Sequence, residues 1–217
     1  MLSTMFAQRA TAIGGVIWAV AFAWHPILLD PADAAGVAAT VARTPNWPWI
    51  HLLAALGLAI WSLGLAGLTP SEARRGTGGV ALAAGLAVWL LVLVAEAVAM
   101  PALAVSTAPG AALLRALVWP LALALGYAAY AAGGIGLALT APRRPAWIAA
   151  WGGASGWLAA ATGVLGYALG PAALWIVGPT ALSIVLWSVA LPFATDPARR
   201  RSTRPQRRRD PSGRRAS

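Results

Sequence analysis

Inside the apolar part of this 217-residue chain, nearly all the available chemistry lies in three side chains, His25, His51 and Glu96. Imidazole nitrogens ligate transition metals and haem iron, and a carboxylate beside two imidazoles completes a transition-metal ligand set. The same groups can store and pass a proton, because ionisable residues held at depth in a membrane mark ion and proton paths. Each stands about four residues inside the same end of its apolar run, which at 1.5 Å per residue is roughly 6 Å from that boundary. Three consecutive helices therefore bring imidazole, imidazole and carboxylate to one level.

A carboxylate placed in hydrocarbon costs on the order of 3 kcal/mol, so Glu96 requires a partner or a watery cavity. Three readings stay open. In the first, Glu96 forms an ion pair with Arg115 or a histidine, and the histidines bond loop backbone. In the second, His25, His51 and Glu96 hold a transition metal, or His25 and His51 ligate a non-covalent haem from its two faces. In the third, the trio relays a proton or substrate in a transporter or membrane-embedded enzyme. No catalytic signature decides among them: the chain has no phosphate-binding G-x-x-x-x-G-K-[ST] loop, no H-E-x-x-H and no G-x-S-x-G. It has no cysteine, which removes thiol nucleophiles, zinc-thiolate sites, disulfides and covalent haem.

The elements that must position these residues follow from composition. With 59% hydrophobic and only 10% charged residues, against about 25% charged in soluble domains, the chain reads as an all-α polytopic membrane protein. Apolar runs of about 20 residues mark spans. They lie at about 11–29, 47–68, 79–100, 113–139, 147–169 and 171–193, giving a six-helix transmembrane domain over 1–193. Asp30 offers an N-cap before Pro31 for a short surface helix in the 30–46 loop. Pro101 closes the third span, Pro120 bends the fourth, and Gly170-Pro171 makes a tight reversal. Ala21-Phe22-Ala23 resembles a signal cleavage site, but hydrophobicity continuing to Leu29 favours a retained span.

All sixteen basic residues are arginine, and their distribution orients the bundle. Arg9, Arg74 with Arg75, Arg143 with Arg144, and the tail fall on one side of six spans, which makes that side and both termini cytoplasmic. Nine of the sixteen arginines crowd into residues 194–217, a stretch too polar to fold alone and suited to anionic lipid headgroups. The net charge of +10 therefore belongs to a tail and not to a nucleic-acid-binding surface. The alanine, glycine, proline and arginine bias points to a high-GC bacterium, hence to its cytoplasmic membrane.

Twelve tryptophans sit mostly at span ends, as an interfacial aromatic belt requires: Trp24, Trp47, Trp49, Trp119 and Trp175 outward, Trp147, Trp151 and Trp187 inward. Gly152 with Gly156, and Ser155 with Ala159, give the fifth span a small-residue face for close helix packing or for a membrane-protein partner. The opening, with His25-Pro26, an alanine-rich segment and TPNWPWIH ending in His51, resembles that of uncharacterised six-span integral membrane proteins of high-GC bacteria. The resemblance covers mainly the first seventy residues. It implies the topology and leaves activity open.

Overall fold

The first helix, α1 (Thr4–Trp24), starts where the Ser3 hydroxyl accepts the Phe6 N–H at 3.2 Å, an N-cap that the expected start at residue 11 overlooks. It stops at His25, which is extended (φ −67°, ψ 129°), as a residue before proline must be. The first span therefore starts seven residues and ends five residues earlier than expected, and His25 is its C-cap. In the computed structural model residues 3–26, 33–142, 145–169 and 174–194 are described, except the side chains of Tyr167, Leu174 and Trp175. The expected Asp30-Pro31 cap, the arginine pair at 143–144, the reversal at 170–171, and the tail from 195 onward lie outside them.

Helix α2 (Ala34–Arg43) is capped by Asp33, whose carboxylate accepts the Ala35 N–H at 3.1 Å. Its Val37, Ala38 and Val41 are buried. Helix α3 (Trp47–Leu68) carries Pro48 in its first turn, where a missing N–H costs nothing. A short α4 (Ser71–Arg75) leads to α5 (Thr77–Val105). Pro101 does not end α5, as the sequence suggested; the helix runs on to Val105. There the Arg115 guanidinium reaches back from α6 (Ala111–Thr140) to the carbonyls of Leu103 and Ser106, both at 3.0 Å, satisfying groups that a helix C-terminus leaves open. Helices α7 (Ala146–Leu169) and α8 (Leu174–Ala190), with a closing 3-10 turn Leu191–Phe193, complete the described chain.

Among the described residues there is no strand, and six helices are long and apolar enough to cross a membrane: α1, α3, α5, α6, α7, and α8 with its closing turn. They pack as a ring, α1 on α3, α3 on α5, α5 on α6, α6 on α7, α7 on α8, and α8 back on α1. Large apolar side chains such as Val20, Leu56, Leu91, Val98 and Val164 point outward, the arrangement lipid contact requires because hydrocarbon is the surrounding solvent.

Small residues hold the ring tight. A Cβ on Gly14 would meet the Trp61 backbone nitrogen at 2.3 Å, and one on Gly64 would meet the Thr11 nitrogen at 2.4 Å, so α1 and α3 touch backbone to backbone. Gly134 and Gly156 do the same between α6 and α7. The small face of α7 is thus used internally: Gly152 abuts the Trp187 indole, Ser155 bonds Ser183 at 2.8 Å, and Gly156 and Ala159 are buried. That face is not an exposed one awaiting a partner.

Candidate functional site

The three ionisable residues singled out by depth converge. His51, on the second turn of α3, is buried, and its Nε2 lies 2.9 Å from Glu96 Oε2 of α5. Its Nδ1 lies 2.9 Å from the Trp47 carbonyl oxygen one turn earlier. A carbonyl oxygen only accepts, so Nδ1 carries a hydrogen and donates it. The Nε2–Oε2 contact then holds one further proton, as imidazolium with carboxylate or as imidazole with carboxylic acid. His25 stands beside the pair, its ring centroid 5.1 Å from that of His51 at 73° and 4.9 Å from that of Trp47. Its own Nδ1 donates to the Pro26 carbonyl at 2.8 Å, leaving Nε2 as an acceptor.

The surroundings fix these groups. Trp47 stacks at 4.5 Å on the His51 ring and donates its indole N–H to the Glu96 carbonyl at 3.0 Å, tying the start of α3 to α5. Only 24% of the Glu96 side chain is exposed, against 3% for His51. Glu96 and His25 face a small cavity whose other walls include Val37 of α2, Trp47, Met100 and Trp119. The Trp119 indole N–H is buried and has no hydrogen-bond partner among the described residues. The cavity thus presents a carboxyl oxygen and an imidazole acceptor, with the Trp119 N–H buried in its wall, and α2 closes it from the loop side.

Other expectations are corrected here. Arg115 serves the end of α5 and not Glu96, whose partner is His51. Trp47 and Trp119 are 2% and 4% exposed, so they are walls of the site and not members of an interfacial belt. Trp187 is likewise buried, donating to the Ile148 carbonyl at 2.9 Å. Trp24, Trp49 and Trp147 are exposed, as a belt requires. Sequence reasoning missed Trp119 as a site residue because an indole at a span end is ordinarily interfacial; its spacing from Pro120 gave no contrary signal.

Among the described residues no three His, Asp or Glu side chains are grouped to hold a metal ion together. His51 has both ring nitrogens engaged, so it could ligate only by exchanging Glu96 at Nε2. No family model, curated protein or solved structure matches the chain.

Proposed function

We propose that the chain is a six-span protein of the bacterial cytoplasmic membrane, with both termini in the cytoplasm, that exchanges a proton for a small amine at Glu96. The observation that carries this reading is that one carboxyl group is shared between His51 Nε2 and a cavity. An ammonium group drawn to the Glu96 carboxylate removes the counter-charge of an imidazolium at His51. The proton then leaves as the cation arrives, and net charge is conserved. Indole walls suit a cation. The arginine distribution supports the orientation, which places the cavity near the outer face.

The test uses the full chain in proteoliposomes with an entrapped pH-sensitive dye and ethanolamine as probe. An ethanolamine gradient should drive an opposing proton flux that Glu96→Gln abolishes. No flux, or equal flux in the variant, would overturn the proposal.

A second reading keeps the trio as a metal or haem site. It is favoured by the Nδ1 bonds of both histidines to backbone carbonyls, the arrangement that presents Nε2 of metal-bound imidazoles. A metal here would take His51 Nε2, Glu96 and, after a shift of the ring, His25. Purified chain should then carry about one transition metal, or show a haem Soret band, lost in His51→Ala; chain free of both excludes this reading.

A further inference from the structure

A groove runs along the outer side of the seam between α1 and α8, at the end of the ring that carries α4. Its volume is about 610 Å³, against about 60 Å³ for the cavity beside Glu96, and falls within the range of small-molecule pockets. One wall is a stripe of α1 from Met5 through Ile13 to Ile17, and the other is Val189 with Pro192 and Phe193 of the closing turn. From Met5 to Ile17 is twelve residues, about 18 Å at 1.5 Å each. That length is close to the depth of one leaflet, half of a hydrocarbon core of about 30 Å.

The lining is apolar except at one point. Arg9 stands on the groove, exposed between Met5 and Ile13, which are themselves 60% and 55% exposed. Arg74 and Arg115 spend their guanidinium groups on backbone carbonyls, whereas Arg9 has no hydrogen bond or ion pair among the described residues. No acidic residue lines the groove. A cation five residues inside a spanning helix is costly in hydrocarbon, and the long arginine stem carries its head to the level of the lipid headgroups instead. There it meets phosphate, which a guanidinium binds through two parallel N–H donors.

We propose that the groove holds an anionic phospholipid of the surrounding bilayer, with one acyl chain along α1 beside Val189 and Phe193 and the phosphate paired with Arg9. Charge selects this occupant. Residues 195–217, which follow the groove in sequence, have nine arginines and no apolar side chain larger than proline, so they suit neither an apolar groove nor the neighbourhood of Arg9. A second copy docked through the same face would bury two arginines with no acid between them. A zwitterionic lipid brings its own cation beside the phosphate; a net-negative one leaves that place to Arg9. The site also differs from adsorption of the arginine-rich tail, which gathers anionic lipid without fixing a chain in a groove.

The chain has no cysteine, so Ile13→Cys and Leu158→Cys each place a single fluorescent label, the first on the groove and the second on the exposed side of α7. The labelled full chain enters vesicles of phosphatidylcholine and phosphatidylglycerol in which one lipid or the other carries brominated, quenching chains. At residue 13, brominated phosphatidylglycerol should quench as though enriched about fivefold over phosphatidylcholine, the preference one arginine at a headgroup carries. At residue 158 the two should quench alike. Arg9→Gln should remove the preference and Arg9→Lys should keep most of it, with helix content and melting temperature retained in both, since Arg9 has no partner inside the protein. Equal quenching at residue 13, a preference that survives Arg9→Gln, the same preference at residue 158, or a label at residue 13 that neither lipid reaches because a second copy covers it would each overturn the proposal.

Discussion

The His51–Glu96 contact decides which replacements either side chain can bear. Glu96→Gln keeps a group that can donate to His51 Nε2, whereas Glu96→Ala leaves that nitrogen buried with no partner, at a cost of about 1–3 kcal/mol. Unfolding in mixed detergent micelles should therefore place the alanine variant well below the glutamine variant; equal stabilities would mean that the pair is not bonded at 2.9 Å as seen. The two cavity tryptophans separate in the same way. Both Trp47→Phe and Trp119→Phe give up buried ring volume, but Trp47→Phe also loses a made hydrogen bond to the Glu96 carbonyl, about 0.5–1.5 kcal/mol, whereas Trp119→Phe removes an N–H with no partner among the described residues and should cost less in the same assay. The convergence of the trio was legible only in outline: all three fall toward the same end of the bundle, but His25 is the C-cap of α1 and Glu96 stands nine residues before the end of α5, so the equal depths counted from sequence do not hold. The choice of His51 over Arg115 was not legible. It depends on helix rotation and on the open carbonyls at the end of α5, which draw the guanidinium away.

At the scale of elements, the apolar runs gave number and type, and the bounds of α3 as well, because Pro48 and the polar TPSEARR segment punctuate it sharply. The other ends moved for local reasons. Ser3 caps α1 early, Pro26 forces His25 out of the helix, and Arg115 lets α5 outlast Pro101. Arg115→Ala should consequently fray residues 101–105, seen as faster amide hydrogen exchange there with the middle of α5 unchanged. Exchange left as slow as in the parent would show that the guanidinium does not hold this turn. Packing makes a contrasting pair of glycines. Gly57 lies against the Trp18 backbone nitrogen, where a Cβ would stand at 2.6 Å, so Gly57→Leu must part α1 from α3 and lower the melting temperature. Gly126 in α6 faces nothing within 4 Å, and Gly126→Ala should raise stability by about 0.5–1 kcal/mol through helix propensity alone. Helix pairing of this kind was only half legible: the small residues of α7 were visible in sequence, but not which neighbours they meet.

For the whole molecule, closure of six helices into a ring means that each loop end is fixed once one is. The 106–110 connection and α2 lie at the end that carries His51 and Glu96, and α4 lies at the opposite end, because α3 and α5 traverse the ring between them. The arginines of the connections follow the same division, with Arg74 and Arg75 on α4. Among the described residues only Arg43 and Arg115 lie toward the other end, and Arg115 is spent on the α5 carbonyls. The positive-inside rule counts such residues near short loops, so a reporter active only outside the cytoplasm should work when inserted at Gly110 and fail at Gly76 or at the C-terminus. Arg74→Ala with Arg75→Ala should leave that pattern intact, since nine arginines remain in residues 194–217 to hold the same side, whereas removing that stretch as well should yield mixed orientation. The reverse pattern would turn the His51–Glu96 cavity toward the cytoplasm and with it the direction of any proton exchange, while the contacts inside the ring would stay as they are.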